Sequence, residues 1–71
     1  MNVPEVKPKT MWRHSSGRVY KVLLLANEHT TRPEQYPVTV VYEGYNGNIW
    51  SRPLSDWHRS FVPKESENGT E

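Results

Sequence analysis

The chain has 71 residues, with nine Lys or Arg, eight Asp or Glu and no cysteine. That length accommodates one small domain and excludes a second, and the absence of cysteine excludes disulfides and thiolate–zinc sites. The net charge of +1 is too small to indicate a nucleic-acid-binding protein by itself, because such proteins usually carry a strongly basic surface.

Both ends of the chain have compositions typical of unstructured polypeptide. Residues 1–10 contain two prolines and no periodic apolar pattern, which predicts a disordered arm. Residues 64–71 are polar, acidic and contain glycine, which predicts a disordered acidic tail. The domain is therefore expected over residues 11–63. No secretory signal and no apolar run of membrane-spanning length is visible, so we expect a cytoplasmic protein with no membrane contact.

The first half of the domain has the composition of β-strands. Residues 11–14 form a plausible first strand that turns at Ser15-Ser16-Gly17. Residues 18–26 are rich in β-branched and aromatic side chains, which favour a strand over a helix because they fit a pleated surface. Residues 27–37 contain Pro33 and Pro37 and are predicted to be a long loop.

The second half contains the clearest pattern in the chain. Residues 38–45 alternate, with Val38, Val40 and Tyr42 on one face of a strand. The Asn46-Gly47 dipeptide that follows strongly indicates a tight hairpin, so residues 48–52 are the returning strand.

Proline then ends the hairpin. Pro53 has no N–H for a sheet ladder and suits the first position of a helical turn, which predicts one 3₁₀ or α-helical turn over residues 54–56. Residues 60–62 are a last short strand before Pro63. Five strands with a helical turn before the last predict an all-β fold, a small five-stranded SH3-like barrel, in which closure removes exposed strand edges.

Two of the three tryptophans, Trp50 and Trp57, bracket Arg52. Trp50 and Arg52 are two residues apart on a predicted strand, so their side chains project from the same face. They either form a stacking and cation–π surface for a ligand, or Trp50 is a core or rim residue and the aliphatic stem of Arg52 lies across it. Leu54 and Trp57 share a face of the helical turn, where Trp57 either plugs the barrel or binds a ligand. A domain this small has little apolar area, which favours the packing roles.

Catalytic and metal-binding patterns are missing from the sequence. His14, His29 and His58 lack the short-range pairing of zinc ligands, so we expect no metal and no cofactor. His14, in the first strand, is expected to be a structural histidine that needs a hydrogen-bond partner. The serines lack a nucleophile elbow and the acidic residues are dispersed. The sequence therefore predicts a protein that is not an enzyme.

A single-stranded nucleic acid is the alternative ligand to a protein. Small β-barrels bind single strands by stacking bases on aromatic side chains beside basic ones. The residues that suggest this are Arg13, Arg18, Lys21, Arg52 and Arg59, interleaved with Trp12, Tyr20, Trp50 and Trp57. The nearly neutral net charge argues against it, because attraction to phosphate supplies most of the affinity of such proteins.

A series of short segments resembles domain of unknown function 1653, a family of small bacterial and phage proteins. The segments are Trp12-Arg13-His14 followed by Gly17, Tyr20-Lys21-Val22, Val40-Val41-Tyr42, and Trp50-Ser51-Arg52-Pro53-Leu54 followed by Trp57. The resemblance covers residues 12–61 and implies no activity, because the family has no assigned function. It suggests Arg13, His14, Trp50, Arg52 and Pro53 as positions to test. Its occurrence in phage suggests an accessory protein that acts on a host factor.

These observations together predict a non-enzymatic β-barrel module that binds a protein or peptide. Exposed aromatic side chains and arginine are enriched at binding hot spots, and a long loop on a rigid scaffold often carries function. The binding surface is expected on the aromatic rim beside the loop of residues 27–37. Its candidate residues are Arg13, His14, Trp50, Arg52 and Trp57. The sequence leaves the oligomeric state open.

Overall fold

The computed structural model describes residues 5–64, which form one antiparallel sheet of five strands. The elements are β1 (Met11–His14), β2 (Val19–Ala26), β3 (Thr39–Glu43), β4 (Ile49–Pro53), a 3₁₀ turn (Leu54–Asp56) and β5 (Phe61–Pro63). The predicted all-β class and the helical turn before the last strand are confirmed. No helix within residues 5–64 has the length and apolar character needed to cross a membrane.

The strands are arranged in the order β4-β3-β2-β1-β5. Each consecutive pair is antiparallel, and β5 returns to lie beside β1. Strands β4 and β5 are the two edges and the sheet is not closed, so a barrel is not confirmed. Pro53 and Pro63 end these edge strands, where a missing N–H costs no ladder hydrogen bond on the open side.

The register of the strands divides the sheet into two faces. Val22 lies opposite Tyr42, and Leu25 lies opposite Val40, after an irregularity between Val22 and Leu24. Val22, Val40 and Tyr42 are all buried, so their side of the sheet is the inner face. The predicted orientation of Val40 and Tyr42 toward one side is confirmed, because directly opposed residues share a face.

The core on the inner face consists mainly of rings. Its buried residues are Val6, Trp12, Val22, Val40, Tyr42, Trp57 and Phe61. The rings of Trp57 and Phe61 are stacked, with centroids 3.8 Å apart and planes 3° from parallel. Trp12 meets Trp57 edge-on at 5.7 Å, and Tyr42 meets Trp57 edge-on at 5.0 Å. Large aromatic side chains thus provide the apolar area that a short chain needs.

The tight turns lie where the sequence places them. Gly17 and Gly47 have φ values of 96° and 86°, a region that only glycine occupies at little cost. The hairpin between β3 and β4 is closed by the amide of Gly44, which donates to the carbonyl of Asn48 at 2.9 Å. The amide of Gly47 donates to the carbonyl of Gly44 at 3.0 Å. The predicted Asn46-Gly47 hairpin is confirmed.

The segment before β1 differs from the prediction of a disordered arm over residues 1–10. Val6 is only 4% exposed and belongs to the core. The amide of Lys9 donates to the carbonyl of Val22 at 2.8 Å, and the Val22 amide donates to the carbonyl of Thr10 at 2.9 Å. The arm prediction is therefore wrong for residues 5–10, because one apolar side chain and two backbone bonds attach them to β2. Residues 1–4, and the predicted tail except for Lys64, lie outside the described residues.

Replacement of Val6 by Ala tests this packing. A buried valine contributes about 1.5–3 kcal/mol relative to an exposed one, so we expect Val6→Ala to lower the free energy of unfolding by about 1–2 kcal/mol. Chemical denaturation measures the change. The matched control is Val62→Ala, because Val62 is 48% exposed on β5. Equal effects of the two substitutions would contradict the packing of Val6 in the core.

Candidate functional site

Trp50 and Arg52 project from the inner face of the sheet, at its edge. Trp50 lies opposite Tyr42 and Arg52 lies opposite Val40 in the β3–β4 register. Since Tyr42 and Val40 point into the core, Trp50 and Arg52 share their face, as the sequence predicts. Strand β4 has no neighbour on its other side, so these two side chains are at the border between core and solvent.

Trp50 is the exposed tryptophan. Its side chain is 52% exposed, whereas Trp12 and Trp57 are 2% and 0% exposed. No other aromatic ring within residues 5–64 stacks on its indole. A tryptophan that leaves half of its surface in water buries only about half of its apolar area, and the exposed part is accessible to a ligand. Of the core and rim positions that the sequence allowed for Trp50, its exposure agrees with the rim.

Arg52 rests on the core rather than on Trp50. Its guanidinium carbon lies 5.2 Å from the centroid of the Phe61 ring, a cation–π geometry. Arg52 is half-buried, and its side chain makes no hydrogen bond or ion pair within residues 5–64. A stacked guanidinium uses its flat face, while its N–H donors lie in the plane of the group. Arg52 is thus held in place by packing with its donors still open to an acceptor.

His14 is attached to the same ring from β1. Its imidazole meets Phe61 at 4.9 Å and Tyr20 at 6.1 Å, both edge-on. The Nδ1 atom accepts a hydrogen bond from the backbone amide of Ser16 at 3.0 Å, and the Ser16 hydroxyl lies 3.0 Å from the same nitrogen. The half-buried histidine therefore has the hydrogen-bond partner that the sequence requires, and Phe61 connects it to Arg52.

Two of the predicted site residues are not exposed on this face of the sheet. Trp57 is 0% exposed, so it cannot contact a ligand at the surface, and its predicted role in binding is wrong. Its indole N–H has no hydrogen-bond partner in the part of the chain that is described, which leaves packing as its contribution. Arg13 lies opposite Val19 and Val62, on the outer face. The structure therefore places Trp50 and Arg52 on one edge of the inner face and joins Arg52 to His14 through Phe61. Arg13 is on the other face, and Trp57 is buried against Phe61.

The long loop is not beside Trp50. The amide of Leu54, at the end of β4, donates to the carbonyl of Val38 at 2.8 Å. An apolar cleft of about 340 Å³ lies here between Pro33, Pro37 and Leu54. Trp50 lies near the other end of β4, beside the hairpin that joins β3 to β4. The prediction that the aromatic rim lies beside the loop of residues 27–37 is therefore wrong, because Trp50 and this loop are at opposite ends of β4.

The candidate binding surface consists of Trp50, Arg52, the Phe61 ring on which Arg52 lies, and His14, which contacts that ring; we call it the Trp50 surface. Sequence reasoning found three of its residues and missed Phe61, which it treated only as part of a short strand. No local sequence pattern could have identified Phe61, because its ring contacts Arg52 only once β5 has paired with β1. Within residues 5–64, no group of three or more His, Asp or Glu side chains is arranged to hold a metal ion.

Comparisons with known proteins give no further guide to this surface. No family model, no curated protein and no solved structure matches the chain. The resemblance to domain of unknown function 1653 thus remains a prediction. The geometry of the side chains is the remaining basis for a functional argument.

Replacement of Arg52 tests its contact with the Phe61 ring. We expect Arg52→Ala to lower the free energy of unfolding by about 0.5–1 kcal/mol, the range for a partly exposed cation–π contact. The matched control is Arg32→Ala, since Arg32 contacts Gln35 within the loop at 3.2 Å. Thermal and urea denaturation measure both variants. An Arg52→Ala variant as stable as the parent would contradict a guanidinium packed on the core.

Proposed function

We propose that this chain is a non-enzymatic binding module that recognises a protein through a peptide segment at the Trp50 surface. The observation that carries the proposal is the contrast among the tryptophans, in which two are buried and Trp50 is half in water beside an arginine. Tryptophan and arginine are enriched at the centres of protein interfaces. A large ring that does not serve the core fits a role in recognition.

The side chains of the Trp50 surface indicate the kind of peptide that would bind there. The exposed indole of Trp50 provides a flat apolar area for a proline or an aromatic ring. The N–H donors of Arg52 suit a carboxylate, which a guanidinium binds through two parallel hydrogen bonds. Because the Phe61 ring restrains the guanidinium of Arg52, less conformational entropy is lost when that pair forms. The expected peptide has an acidic residue next to a ring-bearing residue.

We also propose that the sheet curves into an SH3-like barrel. Three features support this: the strand order β4-β3-β2-β1-β5, the 3₁₀ turn before the last strand, and a core confined to one face. Strong curvature would bring the two edge strands toward each other around that core. The role of a phage accessory protein acting on a host factor is part of the same proposal and rests on the family resemblance alone.

Single-stranded nucleic acid is the second candidate ligand. Residues 5–64 contain nine Lys or Arg and five Asp or Glu. Their positive net charge is larger than that of the whole chain, because the remaining acidic residues lie near the C-terminus. However, Trp12 and Trp57 are buried and so cannot stack on bases. Arg13 and Lys21 lie on the outer face, away from Trp50. The peptide is favoured, because the basic and aromatic side chains do not form one continuous track.

A displayed random-peptide library selected on the immobilised protein tests the proposal. We expect selected peptides to combine acidic and ring-bearing residues and to change the fluorescence of Trp50. Trp50→Ala and Arg52→Ala should each weaken a synthetic selected peptide by about tenfold or more, since hot-spot residues cost about 2 kcal/mol or more when truncated. Isothermal titration calorimetry measures the affinities.

The matched control is Ile49→Ala, because Ile49 is 57% exposed and lies opposite Glu43 on the outer face. This variant should bind selected peptides as the parent does. Peptides that bind all three variants equally would contradict the assignment of the surface. Fluorescence quenching by oligothymidylate that weakens steeply with salt, without selection of any peptide, would favour the nucleic-acid candidate instead.

A further inference from the structure

The two edge strands of the sheet differ in the backbone groups that they leave open. Strands β4 (Ile49–Pro53) and β5 (Phe61–Pro63) each pair with another strand on one side only. In an antiparallel pair, every second residue turns its N–H and C=O groups away from its partner strand. The register of each edge strand therefore shows which of its groups are available to a further strand.

Two hydrogen bonds determine this alternation between β3 and β4. At the hairpin end, the amide of Gly44 donates to the carbonyl of Asn48 at 2.9 Å. At the other end, the amide of Leu54 donates to the carbonyl of Val38 at 2.8 Å. Both pairs continue the β3–β4 register, and an even number of positions separates them, as alternate bonding requires. The two ends of the ladder thus give the same assignment for the residues between them.

The outward-facing residues of β4 are Ile49 and Ser51. Trp50 and Arg52 occupy the bonded positions and use their backbone groups for β3, so the N–H and C=O groups of Ile49 and Ser51 point to the open side. Ile49, Trp50 and Ser51 are exposed, which leaves this stretch of the edge accessible. Pro53 has no N–H and ends it. Strand β4 therefore presents two backbone donors and their neighbouring acceptors to a partner.

The open side of β5 has no such donor. The amide of Ser15 donates to the carbonyl of Ser60 at 2.8 Å, so the same alternation turns the backbone groups of Phe61 and Pro63 outward. The Phe61 amide already donates to the carbonyl of Trp57 at 3.1 Å, and proline has no N–H. A strand laid against β5 would find carbonyl acceptors only. Natural proteins commonly block their edge strands, and here β5 is blocked whereas β4 is not.

We propose that the peptide at the Trp50 surface adds to β4 as a sixth, antiparallel strand of the sheet. This inference rests on the proposed function and adds the conformation and the direction of the partner. The peptide backbone exchanges hydrogen bonds with Ile49 and Ser51, whose groups are otherwise left to water. Every pair in the sheet is antiparallel, and antiparallel pairing is slightly more stable per residue than parallel pairing. In recognition by strand addition, main-chain bonds supply affinity and alternate side chains supply specificity.

The pairing also determines the spacing of side chains in the peptide. Directly opposed residues share a face of the sheet, so the peptide residues opposite Trp50 and Arg52 project on the inner face. One residue separates these two, and its backbone pairs with Ser51. In antiparallel order the acidic residue, opposite Arg52, comes first, and the ring-bearing residue, opposite Trp50, comes two positions later. The two are neighbours on one face of a strand, where opposite charges and paired rings stabilise the contact.

Hydrogen exchange of the ¹⁵N-labelled protein, followed by NMR, tests the proposal. The probe is the tightest-binding peptide from the selection, synthesised with blocked ends. In the peptide-free protein, the amides of Ile49 and Ser51 should exchange quickly, whereas those of Trp50 and Arg52 are bonded to β3 and should exchange slowly. Saturation with the peptide should slow exchange at Ile49 and Ser51 by about tenfold or more, because both amides become hydrogen-bonded.

Peptides methylated at single backbone nitrogens are the matched controls. Methylation of the residue between the acidic and ring-bearing ones removes the N–H that donates to Ser51, and it should weaken binding by about tenfold. The same modification at the ring-bearing residue, whose N–H points away from β4, should change the affinity by less than about twofold. A peptide with the acidic and ring-bearing residues exchanged should bind about tenfold more weakly, since Arg52 then faces a ring instead of a carboxylate.

The outcomes separate this inference from the proposed function. A peptide that Trp50→Ala and Arg52→Ala weaken, but that leaves the Ile49 and Ser51 amides unprotected, would overturn strand addition while the proposed function stands. Equal effects of methylation at the two positions, or tighter binding of the exchanged peptide, would also overturn it. Selection of no peptide would overturn both proposals. Protection of these amides that grows with protein concentration in the absence of peptide would show a second copy on β4, and strand addition by a peptide would be wrong.

Discussion

The structure depends on one contact between rings, the stack of Trp57 on Phe61. These residues are 0% and 2% exposed, and their ring centroids are 3.8 Å apart. Trp57 follows the 3₁₀ turn and Phe61 begins β5, so the stack determines how the chain returns from β4 at one edge of the sheet to β1 near the other. Without this contact the last strand would have little apolar area to hold it.

Phe61 also connects the core to the surface. Its ring meets Trp57 inside, His14 and Tyr42 at its edges, and the guanidinium of Arg52 outside. A charged group placed on a buried ring is oriented by packing and keeps its hydrogen-bond donors for other partners. The packing of the core therefore orients Arg52, on the same face of β4 as the exposed Trp50.

The local features of the fold could be predicted from the sequence, because their causes are local. The alternation of residues 38–42, the Asn46-Gly47 turn and the proline at position 53 each act within a few residues, and the structure has the strands and turns that they indicate. The packing of Val6 could not be read in this way. Its segment has no periodic pattern, and Val6 is buried because β2 lies beside it.

The candidate site was predicted only in part for the same reason. The alternation of a strand places Trp50 and Arg52 on one face, but it does not say which tryptophan of three is left in solvent. That outcome depends on the edge position of β4 and on the stack that buries Trp57. His14 and Phe61 are likewise brought together from distant parts of the chain by the pairing of β1 with β5, and no sequence spacing reports such a contact.

The division of the tryptophans into two buried rings and one exposed ring is the central claim, and fluorine NMR measures it directly. The protein labelled with 5-fluorotryptophan should give three resonances, and a soluble paramagnetic additive should broaden only the one that Trp50→Phe removes. Protection of that resonance, or equal broadening of the signals of Trp12 and Trp57, would contradict the account.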